Sequence, residues 1–244
     1  MSLDKKVIII TGASSGIGAA TAKLLIKQGA NVVIGARRED RLSEIKALAP
    51  DQVEYQVTDV SKLDDVKGLV KLAMSKFGKI NAIYNNAGIM PLAKLSEDHH
   101  DEWQQMLNIN IMGVLNGISA VLPIMHDQGY GHILATDSVA GHKTDATTAV
   151  YSGTKYAVRA IMNGLRVEEN QNHIRSTIIS PGAVSTELYR SESDQASAEA
   201  LQQMWQGENK ALTSEDVASA VVYALDAPER VNINEILVRP LAES

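Results

Sequence analysis

The 244-residue sequence contains no cysteine. Disulfides and thiolate catalysis are therefore excluded, and a zinc site would have to be assembled from histidine and carboxylates alone. The six histidines show no ligand spacing, so no metal site is expected. An excess of basic residues is missing as well: the formal net charge is −6 and the pI about 5.5. A general nucleic-acid binder needs a basic face to meet the phosphate backbone, and this composition argues against one. The N-terminal Met1-Ser2-Leu3-Asp4-Lys5-Lys6 leads into a short apolar strand with no signal-peptide hydrophobic region, and no apolar run reads as long enough to span a bilayer. A soluble, cytoplasmic protein with no membrane partner is expected. At 26.3 kDa the chain suits one well-buried α/β domain spanning residues 1–244 and is short for two.

What is present is organised around Val7-Ile8-Ile9-Ile10-Thr11-Gly12-Ala13-Ser14-Ser15-Gly16-Ile17-Gly18. Four β-branched apolar residues without a polar interruption suit a strand buried on both faces. Three glycines then allow a close backbone turn, and Ile17 to Gln28 carries apolar positions at helical spacing. The free N–H groups of that helix start would face the turn and form a ready anion site. A tight βα turn is the plainer alternative. No Lys-Ser or Lys-Thr follows the last glycine, so a dinucleotide pyrophosphate fits better than a triphosphate loop.

Downstream, short β-branched runs alternate with helical patterns. Strands are expected at Asn31 to Ala36, Gln52 to Val57, Ile80 to Tyr84, Gly131 to Thr136, Ile174 to Ile179 and Asn234 to Val238. Helices are expected at Arg38 to Leu48, Asp64 to Phe77, Asp101 to Leu122, Val150 to Asn170 and Ser214 to Leu225. This alternation predicts an α/β fold, a doubly wound parallel sheet with right-handed crossovers. Ligands of such sheets collect at the carboxyl edge of the strands. After the second strand, where NAD-binding folds place an acid for the adenosine ribose, Ala36 is followed by Arg37 and Arg38. Two cations there point to a 2′-phosphate, unless they only open a charged helix. Asp59 could meet an adenine amino group or serve as a helix-start residue, and Asn85-Asn86-Ala87-Gly88 could line the edge or form an ordinary turn. The Asp101 to Leu122 helix is apolar around nearly its whole circumference, which predicts burial against both the sheet and a second subunit. Asn110 in its middle is a poor core residue and needs a partner or a function.

Tyr151 and Lys155 lie four apart on one face of a helix. Such a pair can be a simple surface contact. It can also be chemistry: an ammonium about 5 Å away in an effective dielectric of about 20 favours a phenolate by roughly 3 kcal/mol, bringing tyrosine down by about two to three pH units. That would make a usable acid and base. Together with Thr11-Gly12-Ala13-Ser14-Ser15-Gly16-Ile17-Gly18, Asp59-Val60, Asn85-Asn86-Ala87-Gly88, Asn110, Ser138, Tyr151-Ser152-Gly153-Thr154-Lys155 and Pro181-Gly182 in this order, the chain closely resembles the short-chain dehydrogenase/reductases over essentially its whole length.

The resemblance implies a Rossmann-type domain in which Tyr151 donates a proton to a carbonyl, Ser138 hydrogen-bonds that carbonyl, and Lys155 binds the nicotinamide ribose. It further implies that Asn110 holds a water connecting Lys155 to solvent. The glycine loop (Gly12, Ser14, Ser15, Gly16, Ile17, Gly18) would take the pyrophosphate, Asn86 would lie beside the adenosine ribose, and Val184 with Thr186 would meet the carboxamide. Asp59, Val60, Ala87, Gly88, Pro181 and Gly182 are further cofactor-binding candidates. Asp137 departs from the small residue often found there, and its carboxylate needs a partner. The expected activity is NADP(H)-dependent hydride transfer to or from a small ketone, aldehyde or 3-hydroxy acid, as in the carbonyl reductase branch that the Gly35-Ala36-Arg37-Arg38 strand end and the Asn232 to Ile236 tail resemble. A nonenzymatic NADP-binding sensor and an epimerase or dehydratase are the alternatives. The polar, small-residue stretch at about 185–212 is expected to be a substrate lid. His142, Thr144, Asp145, Val150, Leu188, Tyr189 and Met204 are candidate pocket residues. A homotetramer, or a homodimer, is implied.

Overall fold

Val7–Thr11 forms strand β1 with every residue buried. Val7 and Ile9 enter one apolar layer and Ile8 and Ile10 the other, because successive side chains of a strand point to opposite faces. In the computed structural model, which describes residues 3–191, 198–199, 202–203 and 211–242, β1 is joined by β2 (Asn31–Ala36), β3 (Val53–Val57), β4 (Ala82–Asn85), β5 (Gly131–Thr136), β6 (Ile174–Pro181) and β7 (Glu235–Val238). The seven make one sheet in the order β3-β2-β1-β4-β5-β6-β7. Every pairing is parallel, so the expected doubly wound parallel sheet is observed. The order reverses between β1 and β4, which opens a crevice at their carboxyl ends.

One face is covered by α1 (Gly16–Lys27), α2 (Glu39–Leu48) and a late helix, Ser214–Asp226, through residues such as Leu25, Leu42 and Val221. The opposite face is covered by α3 (Leu63–Phe77) and two long helical segments through Leu69, Val121 and Met162. Most boundaries fall within two residues of the expected ones.

The exception is the Asp101 to Leu122 helix. It runs as α4 (His100–Met106), a π-helical segment (Leu107–Met112) and α5 (Gly113–Gln128). Pro123 lies on the exposed side of α5, between the buried Val121 and Met125. By length and composition alone, His100–Gln128 is apolar enough to cross a membrane, which corrects the expectation that no such run exists. Here its inner face, Val114, Ile118, Val121 and Met125, packs into the sheet layer. Leu107 and Met112 remain exposed, as does Tyr156 on the next helix, α6 (Ala149–Glu169). The Ser214–Asp226 helix is α7, entered through a reciprocal cap between Thr213 and Asp216. Of the stretch expected to be a lid, Glu187–Ser191 forms a short 3-10 turn and Val184 bridges to Leu212. Residues 192–197, 200–201 and 204–210, which include Met204, lie outside the described residues.

Candidate active site

The glycine loop is fastened to the end of β4. The Thr11 hydroxyl accepts from the backbone N–H groups of Asn86 (3.1 Å) and Ala87 (3.3 Å). The Asn86 amide donates in return to the carbonyls of Thr11 (3.2 Å) and Gly12 (3.3 Å). Gly12 has φ +65°, and a Cβ on it would lie 2.7 Å from Ala87 Cα, so only glycine fits. Ser15 precedes α1 in an extended conformation without a side-chain cap, and no acidic residue occupies the first turn. The N–H groups around Gly16, Ile17 and Gly18 are thus left for an anion. Because Asn86 spends its Nδ2 on the loop and accepts at Oδ1 from Thr136 (3.1 Å), its side chain shapes the crevice as a brace.

The two arginines separate. Arg37 is exposed, and no hydrogen bond or ion pair to it forms among the described residues. Arg38 turns onto the loop: its Nε and Nη2 donate to Ser14 Oγ (3.2 and 3.1 Å), and its Nη1 pairs with Glu187 at 2.7 Å. Glu187 is a site residue that sequence reasoning passed over; its only signal was its place next to Thr186. The segment that carries it lies along the crevice. Thr186 packs 3.2 Å from where a Cβ on Gly16 would stand, and Ser191 Oγ accepts from Met90 N–H at 2.9 Å. Thr186 is therefore brought to the glycine loop, while Pro181 and Gly182 close β6, with Gly182 N–H bonded to Val238. Val184 is buried.

Asp59 closes a turn ahead of α3, whose N-cap is Lys62, its Oδ1 accepting from Ser61 N–H (3.0 Å) and Oγ (2.7 Å). Burial alone would raise this carboxyl, and the Ser61 bonds hold it below its ordinary value. Val60 is buried, and its carbonyl accepts from Asn116 at 2.8 Å. Asn110, buried in the π-helical segment, finds its partners in the strip after Gly88: Oδ1 accepts from Ile89 N–H (2.9 Å), while Nδ2 donates to Ile89 O (2.9 Å) and to Thr154 Oγ1 (3.1 Å). A π turn inside a long helix often marks a functional position. This one joins the β4 loop to α6.

At the carboxyl end of β5, Ser138 opens a 3-10 turn, its Oγ accepting from Ala140 N–H at 3.0 Å. Lys155 follows one turn along α6, with Nζ 5.6 Å from the Tyr151 ring centre and donating to the Thr136 carbonyl at 2.8 Å. All three side chains are buried. Burial pushes the Tyr151 phenol up to about 12, against the lowering effect of the Ser138 hydroxyl, and the charge of Asp137 adds to the rise. Burial also brings the Lys155 ammonium down to about 8, opposed by Asp137. The expectation that Lys155 lowers the phenol by two to three pH units is not met in this structure: burial dominates and raises the phenol instead.

The partner of Asp137 is Arg159, 3.6 Å from Oδ2. His142, a candidate pocket residue, instead turns to Glu235 (2.7 Å). Ligand atoms of Asp137, His142 and Glu235 lie within 4.8 Å of one another, and the Arg159 guanidinium stands among them, bonded to Glu235 and His142. Residues so far apart in sequence leave no spacing signal.

A glycine loop, a strand-order reversal and a buried group of Ser138, Tyr151 and Lys155 meet on one edge of this parallel α/β sheet. The sequence matches the family model described as short chain dehydrogenase over residues 6–197. The chain belongs to the short-chain dehydrogenase/reductase family of oxidoreductases. It is 48% identical over 246 residues to an uncharacterized oxidoreductase of Staphylococcus saprophyticus, covering 100% of this chain and 99% of that one. Among solved structures it is similar to a closed form of serine dehydrogenase complexed with NADP+, with a TM-score of 0.91 and 30% identity over 98% of this chain and 96% of the other. It is similar also to a Burkholderia phymatum short chain dehydrogenase/reductase in complex with NAD, with a TM-score of 0.88 and 27% identity over 97% and 90%.

Proposed function

We propose that this protein is an NADP(H)-dependent oxidoreductase acting on a small carbonyl or alcohol, of ketone, aldehyde or 3-hydroxy acid type. The observation that carries the reading is the burial of Ser138, Tyr151 and Lys155 together, with the Lys155 ammonium 5.6 Å from the tyrosine ring, on the sheet edge that also carries the glycine loop. Gly12, Ser14, Ser15, Gly16, Ile17 and Gly18 would hold the pyrophosphate, and Arg37 and Arg38 the 2′-phosphate. Asp59, Val60, Asn86, Ala87, Gly88, Pro181, Gly182, Val184 and Thr186 complete the groove. The fit is supported by the cradle at Gly12, which any Cβ would fill, and by the uncapped start of α1.

When bound, the nicotinamide supplies or accepts the hydride. The chain's own groups handle the proton and the developing charge. In carbonyl reduction Ser138 and Tyr151 hydroxyls polarise the oxygen, and the Tyr151 proton passes to it as the hydride reaches carbon. The phenol at about 12 is protonated near neutral pH, so the resting state is the acid that reduction needs. Lys155 at about 8 is mostly an ammonium there and stabilises the charge left on the Tyr151 oxygen. Reduction is therefore expected to weaken as pH rises through the Lys155 ionisation. Asn110 holds the β4 loop to α6 and keeps the route from Lys155 to solvent in place.

The test is NADPH and NADH consumption over a panel of ketones, diketones, aldehydes and keto acids, repeated in reverse with the matching alcohols. NADPH-dependent turnover on part of the panel is expected. No hydride transfer with either cofactor would favour the nonenzymatic sensor.

A further inference from the structure

Asp137 stands between the two residues that hold the proton-handling groups. The Thr136 carbonyl on one side accepts from Lys155, and the Ser138 hydroxyl on the other acts to lower the Tyr151 phenol. Its side chain is wholly buried. Oδ2 accepts from Ser180 Oγ at 3.3 Å and faces Arg159 Nη1 at 3.6 Å; Oδ1 has no hydrogen-bond partner. Arg159 lies one helical turn beyond Lys155 and also pairs with Glu235 of β7, which in turn accepts from Ser180 at 2.7 Å. Gly141 makes room for this carboxylate: a Cβ there would lie 2.5 Å from both Asp137 oxygens. Burying a charge with one oxygen unpaired is costly, so the arrangement calls for a compensating use.

We propose that Asp137 is a positioning residue. Anchored on Arg159 and Ser180, its carboxylate fixes the end of β5 against α6 and with it the Thr136 carbonyl that receives Lys155. The inference rests on the functional reading above, in which Lys155 must be charged to bind the nicotinamide ribose. The charged and titratable groups around Asp137 are Lys155, Tyr151 and Arg159 on α6, His142 after β5 and Glu235 on β7. Asp137 raises both Lys155 and Tyr151, so removing its charge moves both ionisations to lower pH. Burial raises Asp137 itself to about 6, and it is therefore ionised where Lys155 titrates.

The experiment titrates NADPH and NADH into the wild-type protein, Asp137→Asn and Asp137→Ser at a series of pH values, followed by nicotinamide fluorescence. Wild-type affinity is expected to fall as pH rises through the Lys155 ionisation. In both variants the midpoint moves down by about one pH unit, equally for the two cofactors, as loss of a nearby opposite charge requires. A merely structural role would weaken binding by the same factor at every pH, and an unmoved midpoint overturns the inference while leaving the functional reading intact. Wild-type protein that binds neither cofactor overturns both. Gly141→Ala displaces the carboxylate without deleting it. It is expected to shift the midpoint as Asp137→Ser does, and to add no further shift in the Asp137→Ser background.

Discussion

Cofactor choice can be worked from the two arginines. A guanidinium bonded to a phosphate through charge-assisted hydrogen bonds contributes about 1.5 to 3 kcal/mol. Arg37, exposed and influenced only by the nearby charge of Asp59, with no hydrogen bond or ion pair among the described residues, gives up little to make that bond. Arg37→Ala should therefore weaken NADPH by roughly tenfold to somewhat over a hundredfold. Arg38 must first leave Glu187, and both side chains are about a third exposed, 38% and 31%. A pair that open to solvent is worth about 0 to 1 kcal/mol, so Arg38→Ala should cost NADPH less, with a net of about 0.5 to 3 kcal/mol. Glu187→Gln has the opposite sign: with Arg38 freed, NADPH should tighten by up to about fivefold. NADH shares every contact except the 2′-phosphate and serves as the internal reference for all three variants. Dissociation constants from nicotinamide fluorescence, measured at one fixed salt concentration, read the result. Equal effects on NADPH and NADH, or similar wild-type specificity constants for the two, would refute the phosphate assignment and leave Arg37 and Arg38 as the opening of a charged helix.

Asn110→Leu should cost about 1 to 3 kcal/mol of stability, because the half-buried N–H and carbonyl of Ile89 and the buried Thr154 hydroxyl lose their partner; a thermal midpoint unchanged from wild type would show that solvent replaces the amide. Leu107, Met112 and Tyr156 leave an exposed apolar face on the π-helical segment and α6, of the kind that marks association. Light scattering at micromolar concentration should accordingly give a homotetramer, or a homodimer, and Met112→Glu should reduce the assembled fraction. A monomeric wild-type mass would contradict this.

How far the sequence disclosed these features follows from the range of the interactions. β1 and the glycine loop are contiguous, so four β-branched residues and three glycines carried strand, turn and helix start together. Tyr151 and Lys155 were legible because helical geometry makes residues four apart neighbours. Their ionisation was not, since it depends on burial: counting the Lys155 charge alone predicted a fall for Tyr151, and desolvation reversed it. The cluster of Asp137, Arg159, Ser180 and Glu235 is drawn from β5, α6, β6 and β7, and only the register of β5 on β6 and β6 on β7 brings it together. Sequence could flag Asp137 as a carboxylate in need of a partner but not find Arg159. The π-helical turn was invisible because apolar residues cover nearly the whole circumference of the Asp101 to Leu122 run, so no break in period marks it.

The central claim is that Tyr151 is the proton donor, and one substitution isolates it. Tyr151→Phe keeps the ring and removes the transferable proton, so turnover of an active carbonyl substrate with NADPH, in a chemistry-limited assay, should fall by about two to four orders of magnitude. NADPH affinity should stay nearly intact. Retention of more than about a tenth of wild-type turnover would contradict the account.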